Sequence, residues 1–356
     1  MERAGKKSKS LKTQVKEKVK ESSRLKRGKE ELEGDPNMMI STGSTLLDLA
    51  LSGGRVRGGG LLAGTTVEIF GPESIGKSVL LSEIAGAIQR QGGEALFNDT
   101  ESRFDEVFAR IFGYILEQDN YFNPNTVTEV FQGIEKWKPK TLDVVNGIIT
   151  DSLAALSTNL EMDNEEGDKM GMRRGKEFSA GFRKNARLIK KNNYLMVCSN
   201  QIRDTGNTFG AKTNTPGGWA TRFYSSVRID LSKLMQGHKL IRKKTIHGKE
   251  TTRIEGINII ANIVKNSTWK PHRSALITIL YDYGIDDIRQ NLQFVKDYTD
   301  NSVYTINGEE LSNKLENAIL KVEDLELETE LREQVIDLWE SIEEKFKVNR
   351  KIKKRW

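Results

Sequence analysis

One cysteine, Cys198, stands in 356 residues, which excludes an intramolecular disulfide framework and any cysteine-built metal site. It sits inside the apolar run Tyr194–Cys198, and a reducing cytoplasm is the simplest setting for such a chain. No stretch approaches the ~20 consecutive apolar residues of a membrane-spanning helix, so no membrane is expected as partner. A basic stretch follows Met1 without an apolar core behind it, so no secretory signal is expected. Internal repeats are missing, and low complexity is confined to the lysine-rich start. What remains, 37% hydrophobic and 30% charged, is the composition of a globular protein with a charged surface. The length suffices for a full α/β core with smaller appendages.

The net charge of +6 is compatible with a polyanionic partner without identifying one. Its ends say more. "GKKSKSLKTQVKEKVKESSRLKRGK" (5–29) is lysine-rich, and "RKIKKRW" (350–356) closes the chain. Runs of this kind are usually solvated faces or tails. Leu11, Val15 and Val19 nevertheless recur at i, i+4, which predicts a basic amphipathic helix in need of a docking surface.

From about 40 to 290, short β-rich runs alternate with helical patterns. Strands are expected at Thr66–Phe70, Ala95–Asn98, Gly147–Thr150, Tyr194–Cys198, Val227–Leu231, Ile257–Val264 and Leu276–Tyr281. Helices are expected over 78–90, 103–112, 126–137 and 173–191. Such alternation builds βαβ units and a mainly parallel sheet; the later, closely spaced runs read as an antiparallel extension. Leu331, Val335, Leu338, Trp339 and Ile342 fall at helical spacing, so a small C-terminal domain ends the chain. The division expected is 1–39 (basic helix and linker), 40–288 (α/β core) and 289–356 (small α/β domain with basic tail).

"VEIFGPESIGKSVLL" contains G-x-x-x-x-G-K-S, with Gly71, Gly76, Lys77 and Ser78. A chance match in a chain this long has odds of only ~1–2%. The β run before it and the apolar-periodic helix after it are the context the motif requires. Backbone N–H groups of Gly71, Pro72-flanked Glu73, Ser74, Ile75, Gly76, Lys77, Ser78 and Val79 form the cradle for phosphates. Lys77 reaches the β/γ-phosphates and the Ser78 hydroxyl holds Mg²⁺. Asp151 ends an apolar strand, where a carboxylate lies on the ligand side of an open sheet and can hold the same cation. Asp99 and Glu101 end another core strand; either is placed to orient a water near the γ-phosphate. ATP and Mg²⁺ are therefore the expected ligands.

Six segments in series, "ISTGSTLLDLALSGG" (40–54), "GPESIGKS" (71–78), "FNDTESRFDEVFARIFG" (97–113), "ITDSLAAL" (149–156), "NQIR" (200–203) and "GGWATRFYSSVRIDL" (217–231), resemble the bacterial RecA recombinase family, including its phage-encoded members. A weaker echo stands at "VYTINGEEL" (303–311). The resemblance implies a RecA-type P-loop core with an N-terminal helix and a small C-terminal α/β domain. It also implies helical homo-oligomeric filaments on single-stranded DNA, ATP bound between subunits, and pairing with homologous duplex DNA followed by strand exchange.

Carried over by residue, Glu101 matches the family's water-activating glutamate and Gln201 its γ-phosphate sensor. Asp105 and Phe108 match adenine contacts, and Tyr281 matches another nucleotide-contacting aromatic. Phe223 resembles the interface phenylalanine that couples neighbouring sites. Lys265 matches a lysine sent into the neighbour's ATP site, whereas Ser267 replaces a second one, for which Lys270 is a candidate substitute. Residues 159–175 resemble the first DNA-binding loop, with Met170 as the apolar insertion and Arg173 or Arg174 as its arginine. Residues 202–218 resemble the second loop, with Arg203 on phosphate and Gly217 and Gly218 donating backbone N–H groups. Trp219 has no counterpart and either stacks on a base or packs. Contacts of this kind read no bases, so DNA binding is expected to be sequence-independent and salt-sensitive. Two other readings stay open: a RecA-fold helicase or motor, and an ATP-switched filament scaffold with little hydrolysis.

Overall fold

Alternation within single strands shows how the core forms. In Tyr194–Gln201, Leu195 and Val197 enter one apolar cluster while Tyr194, Met196 and Cys198 enter another. A strand buried on both faces is the mark of a central, helix-covered sheet. The computed structural model describes residues 38–159, 170–204, 213–214, 219–299, 301–348 and 350. The basic helix expected over 5–29, most of the first DNA loop, Gly217, Gly218 and the tail beyond 350 lie outside the described residues.

In chain order the strands are β1 (Met39–Ile40), β2 (Leu61–Leu62), β3 (Thr66–Gly71), β4 (Ala95–Asp99), β5 (Tyr121–Phe122), β6 (Asn146–Asp151) and β7 (Tyr194–Gln201), then β8 (Arg203–Asp204), β9 (Thr213–Asn214), β10 (Val227–Lys233), β11 (Lys239–Ile246), β12 (Lys249–Asn266), β13 (Ser274–Leu280), β14 (Gly284–Ile285), β15 (Tyr304–Ile306) and β16 (Glu309–Ser312). The helices are α1 (Thr45–Asp48), α2 (Lys77–Arg90), α3 (Glu106–Ile111), α4 (Val127–Lys136), α5 (Met170–Lys191), α6 (Trp219–Tyr224), α7 (Asp287–Tyr298), α8 (Leu315–Asp324) and α9 (Glu328–Lys345).

The main sheet runs β14-β13-β12-β10-β3-β7-β6-β4-β5, with β11 on β12. Pairs from β10 through β3, β7, β6 and β4 to β5 are parallel. Those joining β10, β12, β13 and β14 are antiparallel. The fold class is thus the one the sequence implies: mixed α/β, mainly parallel, of RecA type. α2 packs Leu80, Leu81, Ile84 and Ile88 into the cluster on one face, and α4 and α5 cover the other with Phe131, Ile134, Phe178 and Phe182. A capping box at Thr126 and Glu129 starts α4, satisfying two N–H groups that would otherwise lack partners.

A third cluster gathers Ile288, Leu292 and Val295 of α7, Tyr304 and Ile306, Ala318 and Val322, and Leu331 and Val335. It closes on Leu49, which follows α1. Asp287 ties the two regions together by accepting from Thr45 N at 2.7 Å and Thr45 Oγ1 at 2.6 Å.

The longest strand runs past its expected bounds. β12 is expected over 257–264 but begins at Lys249 and pairs with β11 as a ribbon turned at His247 and Gly248, both with positive φ. Positive φ at both positions suits a tight hairpin. Along β11 nearly every residue is exposed, so neither face carries the apolar alternation by which a strand is recognised.

Candidate active site

β3 is held by buried Val67 and Ile69 and leads into the loop before α2. Two glycines permit that turn. Gly76 has φ +94°, and a Cβ there would lie 2.3 Å from Ile279 Cδ1; one on Gly71 would lie 2.5 Å from the Leu231 carbonyl oxygen. Only glycine fits both positions. The loop N–H groups and the start of α2 then form an anion-binding concavity. Lys77 Nζ donates to the carbonyls of Gly71 (3.1 Å) and Pro72 (2.7 Å). Burial pushes its pKa down, and Asp151, Glu101 and Glu73 oppose that shift.

Ser78 Oγ donates to Asp151 Oδ2 at 2.6 Å, and Ser199 Oγ donates to Asp151 Oδ1 at 2.5 Å. Burial raises the Asp151 carboxyl, against the lowering effect of those two hydroxyls. The oxygen set fits a hard divalent cation. Among the described residues no group of three or more acidic, histidine or cysteine side chains could hold a metal. Mg²⁺ is commonly held by one or two protein oxygens together with substrate phosphates and water, and Ser78 with Asp151 supplies that minimum.

Glu101 lies across the cleft. Its Oε1 accepts from Ser152 Oγ at 2.9 Å and from Gln201 Nε2 at 3.1 Å. Gln201 ends β7, beside Gly71 in the register of β3 and β7, so the parallel sheet brings residues 130 or more apart in sequence into one site. A cavity of about 420 Å³ is lined by Glu73, Glu101, Arg103, Ala154, Ala155 and Gln201. A second, of about 240 Å³, includes Ser78, Asp99, Asp105, Phe108 and Asp151 in its wall. Asp105 also caps α3, with Oδ1 accepting from Val107 N at 2.8 Å and Phe108 N at 3.1 Å.

Asp99, the other carboxylate considered as base, is buried and occupied. Its Oδ2 accepts from Phe104 N and from Tyr121 Oη, each at 2.8 Å, so it organises the loop that presents Glu101. Sequence reasoning also missed Ser199 and Ser152, whose partners lie on other strands or loops, and Arg103, whose partner Glu101 is two residues away. It missed a buried row behind the site as well. Glu68 accepts from Asn200 Nδ2 at 2.9 Å and from Arg228 Nε at 2.5 Å, and Arg228 stands opposite Lys265 across β10 and β12. The strand patterns held the signal for that row: Glu68 inside an apolar run, and Arg228 beside Asp230 inside another.

Other expected residues lie away from this cleft. Lys265 Nζ donates to the carbonyls of Arg222 (2.7 Å) and Phe223 (2.9 Å), closing the end of α6. Phe223 is 75% and Tyr281 47% exposed, and Tyr281 lines neither cavity. Trp219 is 82% exposed with Arg222 over its ring, so it does not pack into the core of its own chain. Arg203 lies in β8, paired with β9. Met170, Arg173 and Arg174 fall in the first five residues of α5. Among the described residues no helix is long and apolar enough to cross a membrane.

A glycine-pinned phosphate loop at the carboxyl end of a parallel sheet, faced by a half-buried aspartate, a glutamate and a glutamine, defines a P-loop nucleotide-binding core. The sequence model of the family described as RecA N-terminal domain matches residues 7–286. Protein RecA of Thermus thermophilus is 34% identical over 251 residues, covering 70% of this chain and 69% of that protein. Protein RecA of Clostridioides difficile is 33% identical over 307 residues, covering 83% and 82%. The chain belongs to the RecA family and is a RecA-like recombinase.

Proposed function

We propose that this protein is a DNA-dependent ATPase that forms filaments on single-stranded DNA and catalyses pairing and strand exchange with homologous duplex. The observation that carries the reading is the meeting of Lys77, Ser78, Asp151, Glu101 and Gln201 in one cleft. Gln201 continues directly into the segment assigned to DNA. Lys77 and the loop N–H groups bind the triphosphate. Ser78 and Asp151 hold Mg²⁺, which when bound neutralises charge on the phosphates. Glu101 orients a water; its oxygen bonds to the γ-phosphorus while the bond to the β,γ-bridging oxygen breaks with its electron pair. The water's proton passes to Glu101, and ADP and inorganic phosphate leave. Gln201 reports the γ-phosphate to residues 202–218, where Arg203, Gly217 and Gly218 contact the DNA backbone. Met170, Arg173, Arg174 and Trp219 complete that surface, while Asp105 and Phe108 hold the adenine. Tyr281 makes a further nucleotide contact, Lys265 reaches the neighbour's ATP site across the filament interface, and Phe223 couples the neighbouring sites there. The division at 39 and 288 into arm, ATPase core and small terminal domain belongs to the same proposal.

The test measures ATP turnover with and without single-stranded DNA, and joint-molecule formation with homologous duplex, for the wild type and Glu101→Gln. Turnover stimulated by DNA and abolished by Glu101→Gln, together with joint molecules, is the expected result. Strand unwinding without joint molecules identifies a motor. ATP-dependent DNA binding with negligible turnover in the wild type identifies a scaffold.

A further inference from the structure

Glu101 and Arg103 are the two side chains that line both cavities of the site. The Arg103 side chain is 81% exposed, and its Nη1 lies 3.2 Å from Glu101 Oε2. Since Oε1 already accepts from Ser152 and Gln201, both oxygens of the carboxylate are engaged. Three partners leave one of the carboxylate's roughly four acceptor sites for a water, and a proton taken up there cancels the charge that holds the guanidinium. The exposed ion pair is the one released at least cost, being worth about 0–1 kcal/mol.

The guanidinium so released stays at the site, because its loop is anchored on both sides. Asp99 holds Phe104 N and Tyr121 Oη. Thr100 Oγ1 donates to the Ser152 carbonyl at 2.6 Å, and Asn123 Nδ2 donates to the Asp99 carbonyl at 3.3 Å. Arg103 is also the one cation among the residues lining the larger cavity, which otherwise presents Glu73, Glu101, two alanines and Gln201. A site where phosphoryl charge develops calls for a positive group there, and a planar guanidinium suits phosphoryl oxygens in pairs.

We propose that Arg103 is a catalytic residue, supplying from the nucleotide-binding chain itself the guanidinium that stabilises charge on the γ-phosphoryl oxygens. Its pair with Glu101 holds both groups at the site until nucleotide enters. The role rests on the ATPase reading above: the bonds made and broken are those of that hydrolysis, and Arg103 exchanges no proton.

The experiment uses the full chain with ATP and single-stranded DNA, comparing wild type, Arg103→Ala, Arg103→Lys and Glu101→Gln. A fluorescent ATP analogue reports nucleotide affinity. Arg103→Ala lowers kcat by ~10²-fold, the scale for one electrostatic donor, with analogue affinity changed by less than ~3-fold. Arg103→Lys recovers part of the loss, because it restores charge without the planar fork. A kcat for Arg103→Ala within ~2-fold of wild type, or above it, while Glu101→Gln is inactive, overturns the role. So does a change confined to KM, which marks a ground-state contact. If Glu101→Gln turns over ATP at the wild-type rate, the ATPase reading itself fails and Arg103 falls with it.

Discussion

Replacing Glu68 by Gln tests whether the charged row behind the site is a supporting frame. Glu68 is 1% and Arg228 9% exposed, and the pair spans 2.5 Å between Oε2 and Nε. Glutamine keeps a partner for Asn200 but removes the carboxylate that pairs with the guanidinium. Arg228 then retains the Phe70 ring, 4.4 Å from its Cζ. Among the described residues its Nη2 has no hydrogen-bond partner even in the wild type. Lys265, directly opposite in the sheet, adds like charge; its pKa is already lowered by burial first and by Arg228 second, with Glu68 opposing. Breaking one side of a buried pair costs ~3–5 kcal/mol, a large share of the ~5–15 kcal/mol that holds a domain together. Urea unfolding followed by circular dichroism reads the loss as a lower midpoint at unchanged slope. Removing both charges, as Glu68→Gln with Arg228→Met, should recover at least ~1 kcal/mol of it, because no charge is left unpaired. A single-variant cost below ~1 kcal/mol, or a double variant less stable than the single, refutes the reasoning.

Three further outcomes follow from the same geometry. Tyr121→Phe keeps the ring 5.8 Å from Phe104 but loses the hydroxyl donated to Asp99; thermal unfolding should show ~1–2 kcal/mol of destabilisation and ATP assays a lower kcat, and an unchanged kcat argues that the loop is set by its other bonds. Burial raises the Glu83 carboxyl to about 7 from 4.5, so its contribution to stability is complete below pH ~4.5 and is lost as pH rises through about 7. Glu83→Gln should flatten that slope by at most ~3 kcal/mol, and an identical pH profile in the variant would falsify the shift. Trp219→Ala should weaken single-stranded DNA binding by ~1–3 kcal/mol, the scale of a base stacked on an aromatic ring, with the salt slope unchanged because no phosphate contact is lost; unaltered affinity assigns the residue elsewhere.

Much of this protein was legible before any fold was known, because some functions are written locally. The phosphate loop is one such case: glycine spacing, Lys77 and Ser78 lie within eight consecutive residues and carry their own strand and helix signals. The parallel strands announced themselves by apolar runs buried on both faces. The β11–β12 ribbon did not, since an exposed two-stranded extension buries neither face. Within the site, sequence placed Asp99, Glu101 and Asp151 at strand ends, and it was the resemblance that chose Glu101 over Asp99 and supplied Gln201. Tertiary structure showed Asp99 bound to Phe104 N and Tyr121 and in the wall of the smaller cavity alone, whereas Glu101 lines both. It also joined Ser199 to Asp151, Ser152 to Glu101, and Glu68 to Arg228 160 positions later. Spacing along a chain specifies what one turn or one strand end can do. Which side chains share a proton, a cation or a counter-charge depends on the order of strands in the sheet, and that is settled only when the whole core packs.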